Sequence, residues 1–280
     1  MGMREFQARH QALQAIEANQ SQTQGQPIAL SSSAEHDVLM IALKNDVNAV
    51  RAFPTLDMRA EYKRDKFLPK WLPFVDQYFE KGKVYQNDII GFCIVYLFDV
   101  GDFDRALSLA HKAIAQNQSL PALFDSNLPT FVADQIYKWA DKTASVGLSV
   151  EPYFSQTFQH VATAWKLHEV VTAKWLKLAA ALLLRNTDGK VQASGIDDPE
   201  KLILAIALCS RAFQLNQKAG VKTMIDRCLM RLSALKQAGE YNPDDFLPVV
   251  GLSLEPVQID FDLVVKKLST NPPLEENADV

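Results

Sequence analysis

The fold of this chain is decided by the stretch Asn87-Asp88-Ile89-Ile90-Gly91-Phe92-Cys93-Ile94-Val95-Tyr96-Leu97-Phe98-Asp99-Val100-Gly101-Asp102. Residues 89–98 are apolar on nearly every side of a helix, and a helix of this kind must lie inside other helices. Asn87 is a typical N-cap, Gly101 is a typical helix end, and Asp102 can cap a following helix. The stretch therefore predicts a buried central helix followed at once by a second helix.

The flanking sequence also has helical patterns. Ser32-Ser33-Ala34-Glu35 has the spacing of a capping box, and one helix face then carries Leu39, Leu43, Val47 and Val50. Further on, a single apolar stripe at helical spacing comprises Val221, Met224, Ile225, Cys228, Leu229, Leu232 and Leu235. No alternating pattern bounded by turn residues indicates a strand. We predict an all-α fold of antiparallel helix pairs around one apolar core, with a flexible N-terminal arm and a C-terminal extension.

Prolines and polar segments divide the chain into helices and regions. Pro54 ends the first helix, and Pro69 with Pro73 predicts a bend before a helix at residues 74–81. The other predicted helices span residues 55–68, 103–117, 130–145, 152–165, 168–185, 199–216 and 218–237. We predict three regions: an N-terminal helical arm and linker at residues 1–33, an all-α body at residues 34–239, and an acidic tail at residues 240–280.

The composition excludes several classes of protein. The chain has 280 residues, 48% of them hydrophobic, which is enough to bury a core. Its three cysteines, Cys93, Cys209 and Cys228, have neither metal-binding nor disulfide spacing and are predicted to be core residues. No apolar run reaches the ~20 residues of a membrane span. Nine acidic residues and two lysines give residues 240–280 a charge of −7, which leaves a mildly basic +3 on the remainder.

A succession of motifs links this sequence to one known family. It runs through Phe67-Leu68-Pro69-Lys70-Trp71-Leu72-Pro73-Phe74-Val75, Asn87-Asp88-Ile89-Ile90, Leu97-Phe98-Asp99-Val100-Gly101-Asp102-Phe103 and Leu128-Pro129-Thr130-Phe131-Val132. This succession resembles the small terminase subunit of tailed temperate phages that package DNA with cohesive ends. Weaker matches at residues 168–174, 183–186 and 207–225 extend the resemblance over residues 37–236.

The resemblance implies a non-ATPase protein that binds viral double-stranded DNA at the packaging site and delivers it to the terminase large subunit. It also implies a homo-oligomer, expected to be a ring, in the cytoplasm of the bacterial host, with no cofactor and no membrane partner. Two alternatives stay open. The family has also been labelled the terminase endonuclease subunit, so the chain itself could cleave DNA, or it could be a helical protein-interaction scaffold without DNA function.

Catalytic motifs are near misses in this sequence. It has no glycine-rich phosphate loop for ATP. His168-Glu169-Val170-Val171-Thr172 has threonine where a zinc-binding H-E-x-x-H helix needs its second histidine. The carboxylates of Asp99, Asp102 and Asp104 could serve a metal-dependent nuclease, but their position at a helix-to-helix turn favours capping. We predict no catalytic residue and no metal ligand, and intrinsic endonuclease activity stays open.

The candidate DNA-binding residues lie at 59–70. Arg59, Lys63 and Lys66 have i, i+4 and i+7 spacing, so a regular helix places them on one side, where they can neutralise phosphates. Arg64 and Lys70 complete the predicted set. The alternative is an ordinary solvated helix face, because Glu61 and Asp65 dilute the positive charge.

The candidate partner-binding residues lie in the acidic tail, as a short apolar segment inside a polar extension. They are Ile259, Phe261, Leu263, Val264 and Leu268. Such a segment is typical of a peptide that becomes ordered on a partner, here the large subunit. The alternative is that it packs on its own domain.

Overall fold

The computed structural model of the protein describes residues 32–186, 188–242 and 259–269. The predicted N-terminal arm, residues 1–33, lies outside these ranges except for its last two residues. The all-α prediction is confirmed: in the described residues the one extended pairing is an isolated bridge between Arg185 and Val191. The helices are α1 (Ser32–Ala52), α2 (Leu56–Tyr62), α3 (Leu68–Lys81), α4 (Asp88–Val100), α5 (Phe103–Ala115), α6 (Leu128–Ser145), α7 (Tyr153–Thr163), α8 (Glu169–Leu183), α9 (Pro199–Leu215), α10 (Lys222–Gln237) and α11 (Phe261–Ser269).

The chain forms two compact units, divided between Tyr62 and Lys63. The described part of the first unit contains α1 and α2. In α1 the predicted apolar face is found, with Leu43, Val47 and Val50 buried. The aromatic rings of Phe53 and Tyr62, 5.2 Å apart, join the end of α1 to α2.

The centre of the second unit is α4, as the sequence predicts. Every residue from Ile89 to Phe98 is buried. Asn87 caps the helix, since its side-chain oxygen accepts a hydrogen bond from the Ile89 amide at 3.0 Å. Gly101 ends it in the left-handed region, at φ 79°. Asp102 then caps α5 through the Arg105 amide at 3.2 Å.

The largest departure from the predicted helices lies between α2 and α4. The helix predicted at residues 55–68 ends at Tyr62, and a π-helical turn at Lys63–Phe67 follows. α3 begins before both prolines, so the helix predicted to start at Phe74 starts six residues earlier. Pro69 lies in the first turn of α3, where proline is tolerated, and Pro73 removes the N–H that would bond to the carbonyl oxygen of Pro69.

The second half of the chain is a layer of long helices. α8 packs on α9 over its length, α9 packs on α10, and α11 packs on α7 and α8. Phe154, Phe158 and Trp175 are stacked in the core beneath this layer. The predicted stripe of α10 is largely buried, but Leu229 is 38% exposed. None of the helices in the described ranges is both long and apolar enough to cross a membrane.

Candidate nucleic-acid interface

Lys63, a predicted DNA-binding residue, is held inside the second unit. Its Nζ lies 2.6 Å from Oδ2 of Asp99 and 4.5 Å from the centre of the Tyr96 ring. Only 12% of the side chain is exposed, against 40% for Asp99. The π-helical turn brings this cation onto α4, so its charge is paired within the protein.

The other predicted DNA-binding residues have different environments. In the first unit, the Arg59 guanidinium donates to the carbonyl oxygens of Phe53 at 2.7 Å and Arg51 at 3.4 Å. In the second unit, Arg64 and Lys66 are exposed on the π-helical turn, and Lys70 is exposed at the start of α3. The predicted i, i+4, i+7 stripe is interrupted, because a π-helical turn does not keep the α-helical spacing.

Arg105 is an exposed cation outside the set of DNA-binding residues predicted from the sequence. It lines a cavity of about 460 Å³ together with Arg64, Leu68 and Gly101. Its Nε lies 3.6 Å from Oδ2 of Asp102, and 70% of its side chain is exposed. The only local signal is the i, i+3 spacing of Asp102 and Arg105, which is common at helix starts. Only the packing of α3 against α4 and α5 brings Arg64 and Arg105 to one cavity.

The acidic residues of the α4–α5 turn have structural roles. Asp99 pairs with Lys63, and Asp102 caps α5. Asp104 lies beside Tyr153; burial first, and then the interaction with the Asp104 carboxylate, raises the pKa of the Tyr153 hydroxyl. In the part of the chain that the structure describes, no three His, Cys, Asp or Glu side chains are grouped to hold a metal ion. His168, from the near-miss zinc motif, caps α8 by accepting from the Val170 amide at 3.2 Å.

Two histidines that show no ligand spacing in the sequence meet in the structure. The rings of His111 on α5 and His160 on α7 are 4.4 Å apart, and His160 stacks on Trp165 at 5.3 Å. Burial lowers the pKa of both imidazoles, and the charge of His160 lowers that of His111 further. The Nε2 atom of His111 is buried, and none of the described residues is its hydrogen-bond partner.

The cysteines are buried, as predicted. Burial raises the pKa of the Cys93 thiol, raises that of Cys209 to about 12 and raises that of Cys228 to about 11. The thiols are therefore protonated near neutral pH, when they are poor nucleophiles.

The predicted partner-binding segment forms α11 and packs on the chain itself. Val264 and Leu268 are buried, and the Phe261 ring lies 5.9 Å from that of Phe158. Lys267 Nζ lies 2.8 Å from Oδ2 of Asp198 and 2.6 Å from Oε2 of Glu200. Ile259 and Leu263 are half-buried. This conformation matches the alternative interpretation of the segment, and its binding to the large subunit stays a prediction.

Comparisons with known proteins agree with the motif succession. Residues 40–170 match the family described as phage small terminase subunit. The chain is 65% identical to a probable terminase, endonuclease subunit, of Haemophilus phage HP1 (strain HP1c1), with 97% of each chain covered. It is 28% identical to the terminase, endonuclease subunit, of Escherichia phage P2, over 71% of this chain and 74% of the relative. No solved structure matches the chain.

The helical fold, the motif succession and these relatives define a subunit of a phage terminase. The chain belongs to the phage small terminase subunit family.

Proposed function

We propose that the protein binds viral double-stranded DNA at the packaging site and delivers it to the terminase large subunit, which supplies the ATPase and nuclease. It acts as a homo-oligomer, a closed ring, in the cytoplasm of the bacterial host. The observation that carries this proposal is the 65% identity to a terminase subunit over nearly the whole of both chains.

The charges on the surface support phosphate contact at one place. Arg64 and Lys66 are exposed, and Arg105 lines a cavity with Arg64. Arginine and lysine at a surface bind DNA by neutralising phosphates, and such contacts position a protein without reading the sequence. Lys63 and Arg59 contribute less, because their charged groups already have partners within the protein.

A titration of labelled duplexes tests the proposal. Fluorescence anisotropy compares a duplex from the phage packaging region with an unrelated duplex of equal length, at several salt concentrations. We expect salt-sensitive binding to both and tighter binding to the packaging duplex. Light scattering on the same samples should show an assembly several times heavier than the 31.3 kDa chain. Absence of DNA retention at low salt would select the scaffold function, and a monomer at micromolar concentration would contradict the ring.

Endonuclease activity of the chain itself is a second candidate, because both similar proteins are named endonuclease subunits. The test incubates the purified chain with supercoiled plasmid and Mg²⁺ or Mn²⁺, with no large subunit present. Nicking of the plasmid supports this candidate if EDTA abolishes it and if thermally unfolded protein no longer produces it. Uncut plasmid, in a reaction where the complete terminase cuts, assigns cleavage to the large subunit.

A further inference from the structure

A groove with a positively charged wall lies on the second unit. One side is the loop Val191–Ser194 and the other is α10. The cavity is about 420 Å³, and its lining comprises Val191, Gln192, Ala193, Ser194, Arg227, Met230, Arg231 and Ala234. Two arginines one helical turn apart therefore flank an apolar floor, and none of the lining residues is acidic.

This groove is open to solvent and has the composition of an interface. Of the apolar residues that line it, Met230 is 73% exposed and Val191 is 37% exposed. Arg227 makes no ion pair with any residue that the structure describes. Arginine and methionine are enriched in protein interfaces, and exposed apolar side chains grouped in this way indicate a docking surface. The occupant should carry carboxylates beside an apolar anchor.

The path of the chain leads to this groove. Arg231 donates from Nε to the carbonyl oxygen of Ile196 at 3.0 Å, and its guanidinium pairs with Asp197. The next residue, Asp198, pairs with Lys267 of α11. The adjacent residues Asp197 and Asp198 thus bind Arg231 of the groove and the last turn of α11, respectively. α11 ends at Ser269.

The residues that follow α11 have the required chemistry. Residues 270–280 lie outside the described ranges, and their sequence is Thr270-Asn271-Pro272-Pro273-Leu274-Glu275-Glu276-Asn277-Ala278-Asp279-Val280, with three carboxylates and no basic residue. Leu274 is five residues beyond Ser269, so an extended chain can place it up to ~17 Å from Ser269. The two prolines favour an extended approach.

We propose that residues 274–279 dock in the arginine groove of their own chain. Leu274 packs on Met230 and Val191, and the carboxylates of Glu275 and Glu276 pair with Arg227. The same segment covers the exposed apolar floor and neutralises the positive wall, so a polyanion must displace it to bind there.

A disulfide crosslink in the full-length chain tests the proposal. Leu274→Cys is combined with Met230→Cys, an exposed position whose change leaves the core intact. The control combines Leu274→Cys with Val84→Cys, because Val84 is 61% exposed and lies in the loop after α3. The native cysteines are buried. Under mild oxidation we expect the first pair to form an intrachain disulfide about tenfold faster than the control, as a tethered segment near its site has a high effective concentration.

A charge swap identifies the ion pairs. Arg227→Glu in the crosslinking background should slow disulfide formation, and adding Glu275→Lys with Glu276→Lys should restore it. Equal rates for the two cysteine pairs would overturn the proposal. A disulfide between two chains, seen at twice the monomer mass without reductant, would overturn it as well, since the occupant would then come from a second copy.

Discussion

Lys63 Nζ and Asp99 Oδ2 are 2.6 Å apart, and they belong to residues 36 positions apart in the chain. The pair ties the π-helical turn to the end of α4, and the Lys63 Nζ also lies over the Tyr96 ring, 4.5 Å from its centre. A cation that the sequence assigns to DNA is therefore part of the packing of the second unit. The neighbouring cations Arg64 and Lys66 carry the surface charge instead.

We expect Lys63→Met to lower stability more than DNA affinity. The change leaves the partly exposed carboxylate of Asp99 without Lys63, and loss of an ion pair of this kind costs about 1 kcal/mol. Urea unfolding measures the stability, and the salt slope of DNA binding should stay within error of the original. If Lys63→Met instead lowers the salt slope as much as the loss of an exposed cation does, Lys63 contacts DNA.

The double substitution Arg64→Ala with Arg105→Ala should flatten the salt dependence of DNA binding. Each phosphate contact contributes ~0.9 to the slope of log K against log salt, so two lost contacts lower it by ~2. Lys142→Ala with Lys174→Ala is the control, because both lysines are exposed and the charge change is the same. Equal slopes for the two double variants would place the DNA surface elsewhere.

Two leucines of α11 test whether this helix packs on the rest of the protein, because one is buried and the other is half-buried. Leu268 is 3% exposed, so Leu268→Ala should destabilise the protein by about 2–3 kcal/mol, the low end of a core leucine deletion. Leu263 is half-buried on the same helix, and Leu263→Ala should cost less than about 1 kcal/mol. Chemical denaturation gives both values. Equal small effects would mean that α11 is not packed on α7 and α8 in solution.

Gly91 allows a close contact between α4 and the loop before α6. A methyl group there would lie 2.5 Å from Cδ of Pro121 and 3.3 Å from the carbonyl oxygen of Ser119. Gly91→Ala should therefore destabilise the protein by about 1–3 kcal/mol, although alanine favours helix. Gly195→Ala is the matched control, since its nearest neighbour is 4.0 Å away, at Cδ of Gln192. A stabilising Gly91→Ala would show that the contact is loose.

The His111–His160 pair should weaken the protein in mild acid. Both pKa values are lowered from 6.5 in the folded state, so the unfolded state binds more protons as the pH falls. The contribution of the two neutral histidines to the free energy of unfolding is fully present above pH 6.5. It declines as the pH falls through 6.5, and the decline ends below the pKa values of the folded state. His111→Phe with His160→Phe should reduce the difference in urea midpoint between about pH 7.5 and about pH 5.5. His168→Asn, at an exposed capping position, should leave that difference unchanged.

Helix positions could largely be predicted because their signals are local. Asn87, Gly101 and Asp102 act on backbone groups within four residues, and they begin or end helices where expected. The all-apolar run at residues 89–98 could only be stable as a buried helix, and it is one. The π-helical turn at Lys63–Phe67 could not be predicted, since it depends on how Phe67 and Lys63 pack on Tyr96.

The sequence by itself determined the all-α class, the central position of α4, the core role of the cysteines and the family. These follow from periodicity, capping and motif succession, all of which act over short distances along the chain. Only the tertiary structure decided which cations are exposed, where α11 packs, and that Arg227 and Met230 face an open groove. Those outcomes depend on contacts such as Lys63 with Asp99 and Gln159 with Asp262, 103 residues apart, and pairing over such separations is set by the packing of whole helices.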